Sequence, residues 1–263
     1  PAHAEVPGAV GDVAATFHLA DDFERENGGL LGPPWVDCKS LEPANFEPLG
    51  LYDGGVVVAD PMTREGDYDG IPHTGNPPRD GRLYPGIGCA AVDTGTTAVS
   101  IRVTWNGHFG KGKPRSEVDN IHVETSPLLY INPETSRFGF GAWTTVLHGS
   151  AVLMLGYIGS PPELFEPLGV ALIPGNHPVG ETFEYELRAE RPGEVTLWHK
   201  GEQLGLYPDN NLDPIVVDPQ LASSTWHGFA LDAHLMNPVG RGPTVKGLEA
   251  ITITGLPLPA DAH

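Results

Sequence analysis

Apolar and polar residues alternate along several stretches of the chain. Val99, Ile101, Val103 and Trp105 are separated by Ser100, Arg102 and Thr104, and Phe183, Tyr185, Leu187 and Ala189 by Glu184, Glu186 and Arg188. Val13, Ala15, Phe17 and Leu19 keep the same period. Phe229, Leu231, Ala233 and Leu235 follow it less cleanly, because Ala230 and Met236 sit on the other face. Ile251 and Ile253, with Thr252 and Thr254, close the series. A period of two buries one face of an antiparallel sheet and wets the other. Shorter apolar runs (Val56 to Ala59, Ala151 to Leu155, Ile215 to Val217) predict strands covered on both faces, with a buried helical turn as the alternative for Ala151 to Leu155. Arg191-Pro192-Gly193 joins the Phe183 run to Val195-Thr196-Leu197-Trp198 as a hairpin, and Lys200-Gly201 turns the chain towards Gln203 to Tyr207. Roughly a dozen strands, with turns about every 8 to 15 residues, predict a sandwich or barrel.

Composition sharpens this. The 263 residues include 34 Gly and 27 Pro, too many for long helices. The Gly/Pro-rich stretches Pro33 to Gly50, Asp60 to Gly88, Gly159 to Gly180 and Tyr207 to Pro219 carry aromatic and apolar residues, and read as ordered loops lying on the sheets. With no repeat and no composition break, residues 1–263 read as a single domain, with 1–16 as an N-terminal extension. The net charge of −19 excludes a phosphate-backbone binder and disfavours anionic membrane surfaces. Ala151 to Ile158 is far too short to span a bilayer, and Pro1-Ala-His-Ala-Glu-Val has neither the basic nor the apolar region of an intact signal peptide. Cys38 and Cys89 could pair across a 51-residue separation, but two cysteines do not make a disulfide scaffold, and they read first as two unpaired, buried or half-buried thiols acting as small hydrophobes.

Three stretches in chain order carry a resemblance: Ala20-Asp-Asp-Phe-Glu-Arg-Glu-Asn-Gly-Gly-Leu-Leu-Gly-Pro-Pro-Trp35, the hairpin Gly180 to Gly201, and the terminal strand Leu248 to Thr254. Together they resemble the concanavalin A-like lectin/glucanase superfamily, the laminin-G-type jelly roll, over most of the chain. More narrowly the chain resembles minor tail proteins of actinobacteriophages, and its excess of Arg over Lys suits a GC-rich genome. The resemblance implies an all-β, antiparallel two-sheet jelly-roll sandwich with long ordered loops.

In that superfamily the β-glucanases carry Glu-x-Asp-x-(x)-Glu on one strand, as nucleophile, tuning carboxylate and acid/base. Glu117-Val118-Asp119-Asn120-Ile121-His122-Val123-Glu124 fits the first two positions with Glu117 and Asp119. The third falls on Ile121 or His122, and Glu124 lies two residues too far. Retaining hydrolysis needs two carboxyls about 5 Å apart, so the stretch reads first as a solvated strand of alternating charge. Asp67 and Asp69, and Asp209 and Asp213, cluster oxygen ligands in loops without the EF-hand spacing, and offer Ca²⁺ sites secondary to ordinary turn chemistry. The eleven histidines form no HExxH or His-x-His pair, so no zinc site is expected. Sugar recognition needs an aromatic platform with Asn, Asp or His beside it. Trp105-Asn106-Gly107-His108 and Trp226-His227 have that chemistry, although Trp105 also continues the apolar face of its strand.

The expected role is a non-enzymatic virion module, a minor tail protein that assembles as a homo-oligomer with other tail proteins and contacts host-surface glycan, without nucleic acid or membrane insertion. The alternative is a secreted glycoside hydrolase or lyase of the same fold, using Glu117, Asp119, His122 and Glu124.

Overall fold

The computed structural model describes residues 17–25, 31–38, 49–52, 55–58, 86–105, 121–147, 150–159, 165–175, 182–235 and 248–258. Its strands, in chain order, are β1 (Phe17–Asp21), β2 (Val36–Asp37), β3 (Leu49–Tyr52), β4 (Gly55–Val58), β5 (Gly86–Asp93), β6 (Val99–Trp105), β7 (Ile121–Leu129) and β8 (Arg137–Leu147). They continue with β9 (Ser150–Gly159), β10 (Phe165–Ile173), β11 (Phe183–Arg191), β12 (Glu194–His199), β13 (Glu202–Leu204), β14 (Ile215–Val216), β15 (Trp226–Leu235) and β16 (Leu248–Gly255). One four-residue helix, α1 (Pro219–Ala222), is capped by the Asp218 side chain, which accepts from the Gln220 N–H.

These strands form two antiparallel sheets: the alternation predicts a sandwich or barrel, the resemblance implies a jelly roll, and the chain is the jelly-roll sandwich. A nine-stranded sheet runs β13-β12-β11-β6-β16-β4-β3, with β1 also on β16 and β14 on β12. A seven-stranded sheet runs β10-β9-β8-β7-β15-β5-β2. The period-two strands fall where expected. In β6, Val99, Ile101, Val103 and Trp105 are buried, and Trp105 packs edge-on against Phe183 at 4.6 Å. The main core lies between the sheets and includes Ile101, Tyr185, Leu187, Leu153, Phe229 and Ile253. One polar insertion is the Tyr185 hydroxyl, which donates to the carbonyls of Thr125 and Ala142, each 3.1 Å away, and accepts from Thr144. Full burial pushes that phenol well above its ordinary range.

The outward face of the nine-stranded sheet is polar. Glu186, only 6% exposed, accepts from Ser100 (2.5 Å), Arg188 (2.6 Å) and Arg102 (3.1 Å). Burial alone pushes its carboxyl up, but these hydrogen bonds and the Arg188 charge outweigh it and hold the group below the ordinary carboxylate range.

Three expectations are corrected. Cys38 and Cys89 form a disulfide with Cα atoms 5.2 Å apart, because Val36 of β2 pairs with Ala91 of β5 and carries Cys38 alongside. Both are fully buried, as expected of them singly. The Gly159 to Gly180 stretch is not loop throughout, since β10 occupies Phe165–Ile173 and absorbs Pro167 and Gly169 in a register shift. Val216 is 72% exposed, so the Ile215 run is not covered on both faces. Val13 and Ala15 lie outside the described residues. Among the described residues, no helix is long and apolar enough to cross a membrane.

Candidate functional site

A second, smaller apolar cluster lies on the face of the seven-stranded sheet turned away from its partner sheet. Cys89 and Ala91 of β5, Leu128 of β7, Trp143 of β8, Ile158 of β9 and Ala230 of β15 belong to it, with Met154, Phe165 and Trp226 packed at its margin. Their strand neighbours Ala90, Val92, Leu129, Ala142, Tyr157 and Phe229 point into the main core, which fixes the two faces. Small residues let this floor close tightly. A methyl on Gly228 would sit 1.9 Å from the Ala90 carbonyl oxygen, and one on Gly141 would sit 2.2 Å from Ser126 Oγ.

Further along the same two strands the register sets ionisable residues opposite one another. β7 and β15 pair without a register shift from Leu128↔Gly228 to Ile121↔Leu235. Moving from the apolar end, Ser126 lies opposite Ala230, Glu124 opposite Asp232, and His122 opposite His234. Sequence reasoning singled out His122 and Glu124. It missed Asp232 and His234, whose only signal is the mirrored spacing His-x-Glu and Asp-x-His on two strands over a hundred residues apart. Glu117 and Asp119, the other half of the glucanase-like stretch, lie outside the described residues, as do Asn106, His108, Asp67 and Asp69. The described strand β7 begins only at Ile121.

The other sequence candidates fall elsewhere. Trp105 is buried in the main core, offering no platform to a ligand. His227 is fully buried: its Nδ1 accepts from the Tyr130 N–H at 3.2 Å and its Nε2 donates to the Thr96 carbonyl at 3.0 Å. Desolvation lowers its pKa to about 4, against weaker raising effects of the Thr96 bond and Asp93. It is therefore a neutral structural imidazole. Trp226, next to it, is half-buried at the edge of the second cluster. Asp209 and Asp213 are exposed, and the Asp213 N–H donates to Asn211 Oδ1 in an ordinary turn.

A cleft of about 730 Å³ opens at the end of the sandwich, between α1, β9 and the starts of β8 and β10. Its centre is Arg137, stacked 4.3 Å over the Tyr157 ring. Arg137 donates twice to Glu166 (3.1 and 3.0 Å) and once to Asp218 (3.0 Å). The Glu166 hydrogen bond is the chief reason its pKa is raised further. Two carboxylates and an aromatic face already occupy this guanidinium, so the cleft is braced rather than primed for an incoming anion. Tyr157 completes the brace by accepting from the Asp218 N–H at 2.9 Å.

No family model matches the chain, and no curated protein matches it. Solved structures do. LamAcat from Zobellia galactanivorans is 11% identical with a TM-score of 0.47, over 91% of this chain and 97% of that one. A glycoside hydrolase family protein from Mycobacterium thermorestibile is 12% identical with a TM-score of 0.42, over 89% and 99%. The Emp47p carbohydrate recognition domain is 8% identical with a TM-score of 0.41, over 93% and 97%. The jelly-roll sandwich stands on the strand pairing described above.

Proposed function

We propose that this chain is a glycan-binding jelly-roll module whose working surface is the outward face of the seven-stranded sheet. The observation that carries this reading is the run along β15 from the half-buried Trp226, at the margin of the second cluster, to the opposed β7–β15 positions Glu124↔Asp232 and His122↔His234. A sugar ring needs both: apolar surface for its C–H face, and acceptors and donors for its hydroxyls. The setting we propose is a virion tail, where a homo-oligomer among other tail proteins would present this face to host-surface glycan. The Cys38–Cys89 disulfide supports a life outside a reducing cytosol, in a virion or secreted.

A second reading, a secreted glycoside hydrolase or lyase, is favoured by one specific feature. Retaining hydrolysis needs two neighbouring carboxyl-bearing residues, and directly opposed positions on antiparallel strands are neighbours. Glu124 and Asp232 occupy such a pair.

A glycan array run beside reducing-sugar and unsaturated-product assays separates the two. Binding without turnover, weakened about tenfold or more in Glu124→Gln or Asp232→Asn (roughly 1.4 kcal/mol), is the expected outcome. Turnover by the unmodified chain that disappears in either variant would establish the enzyme instead. Full-strength glycan binding by both variants would remove this face from consideration.

A further inference from the structure

We propose that the outward face of the nine-stranded sheet carries a groove for a neutral, hydroxyl-rich oligosaccharide, read by Trp198, Thr196, Glu194 and Gln203 and continued by a polar row across the sheet. The inference stands on side chains of β6, β11, β12, β13 and β16 and does not rest on the reading of β7 and β15.

The groove has a volume of about 610 Å³ and is lined by Glu194, Thr196, Trp198, Gln203, Pro214 and Pro257. Val195 and Leu197 point into the inter-sheet core, so the period of two sets Glu194, Thr196 and Trp198 on the outward face. The indole is held in place. Its Nε1 donates to Thr196 Oγ1 at 2.9 Å, and the Arg188 guanidinium stacks 4.1 Å over the ring. Arg188 is itself fixed by two hydrogen bonds to Glu186. The Gln203 amide is anchored by donating to the Leu212 carbonyl at 2.6 Å. A ring and an amide positioned in advance spare a ligand the cost of ordering them. From Thr196 one register row crosses the sheet through Arg188, Ser100 and Thr254 to His18. Each of these residues is at least partly exposed, and the strand spacing makes the row roughly 19 Å long.

The lining selects its ligand by exclusion. Arg188 already occupies the indole's place for a cation, so the groove is not an ammonium cage. Glu190 and Glu194 disfavour phosphate, sulfate and uronate groups, and Arg191 stands in register with Glu194, which leaves no excess of positive charge at the wall. An extended peptide would need a backbone edge. β13 pairs with Leu197 to His199 and β14 with Glu194 and Val195, which closes β12 to an added strand. A chain of neutral sugars meets what remains: the indole and the prolines face C–H surface, and carboxylate, amide and hydroxyl groups take the sugar hydroxyls.

The test is an array of neutral and anionic oligosaccharides, followed by calorimetry of the full chain with the strongest neutral hit. Affinity should rise from the disaccharide to the tetrasaccharide of that sugar. It should fall about tenfold or more in Trp198→Ala, as truncating an aromatic anchor does, and at least about threefold in Glu194→Gln. A measurement on the unmodified protein guards against variants that fold badly: the saturating tetrasaccharide should shield Trp198 from oxidation by N-bromosuccinimide, read by peptide mass spectrometry. Absence of any neutral hit, preference for anionic glycans, no gain with length, or undiminished oxidation of Trp198 would each overturn the groove. So would a hit indifferent to both variants. If that hit weakens in Glu124→Gln, the glycan belongs to the seven-stranded sheet, and the two readings are thus told apart.

Discussion

The same residue type does opposite things at different depths, and His227 is the clearest case. As a sequence, Trp226-His227 has the chemistry of a sugar contact. In the fold, the imidazole is sealed between the Tyr130 N–H and the Thr96 carbonyl, and nothing local in the sequence signals that burial. Its pKa, lowered to about 4 from 6.5, makes it a pH-dependent element of stability. The unfolded chain takes up a proton near pH 6.5 while the native state resists until about pH 4, so stability is intact above that window and lost as pH falls through it. The loss attributable to this group is about 2 kcal/mol by pH 5 and about 3 kcal/mol in full. Urea midpoints at pH 7.5 and pH 5 should show this drop in the unmodified protein. His227→Gln keeps an acceptor and a donor without titrating, and should be less stable at pH 7.5 but much flatter across the same interval. Parallel pH profiles for the two proteins would refute the assignment. Carboxylates such as Glu186, held below the ordinary range, lose their contribution only as pH falls below about 4.5, and so do not confuse the reading.

At the scale of elements, legibility follows how cleanly a strand separates a dry face from a wet one. β6, β11 and β16 face solvent on one side, and their alternation is plain in the sequence. β5, β7 and β8 are not readable in that way, because their outward face is itself covered near Cys89, Leu128 and Trp143, which erases the polar half of the pattern. Gly139, Gly141 and Pro127 then look like breakers. β10 hides behind Pro167 and Gly169, which its edge position and register shift tolerate. The site suffers the same limit: His122 and Glu124 are visible in one strand, but their partners become visible only through the register of β15. The glycines of this covered face provide a test. In Gly228→Ala the added methyl meets the backbone of β5, at 1.9 Å from Ala90 O and 2.8 Å from Ala91 Cα, so no side-chain rotation relieves it. The expected cost is about 1–3 kcal/mol or more, read as a fall in urea midpoint. Gly201→Ala is the contrast: its φ of +81° is strained for alanine, but nothing lies within 4 Å of the new methyl, so its penalty should be the smaller. Equal penalties would mean that β5 and β15 are not as close as their pairing requires.

For the molecule as a whole, the Cys38–Cys89 bond ties together a path that crosses both sheets. The chain leaves the seven-stranded sheet after β2, contributes β3 and β4 to the nine-stranded sheet, and returns as β5. Closing a loop of 51 residues' separation restricts the unfolded ensemble by about 4 kcal/mol on the chain-entropy estimate. The net charge of −19 acts in the other direction, since self-repulsion favours expansion and is screened by salt. The two effects separate experimentally. Both the unmodified protein and Cys38→Ala/Cys89→Ala should gain stability between low and physiological ionic strength, because both carry the same charge. The gap between them should stay near 4 kcal/mol at every salt concentration, because loop closure is indifferent to screening. Urea unfolding at several NaCl concentrations reads both quantities at once. A gap below about 1 kcal/mol would mean that the two sheets are locked by their shared core alone. A gap that closes as salt is added would instead assign the disulfide the job of holding mutually repelling segments together.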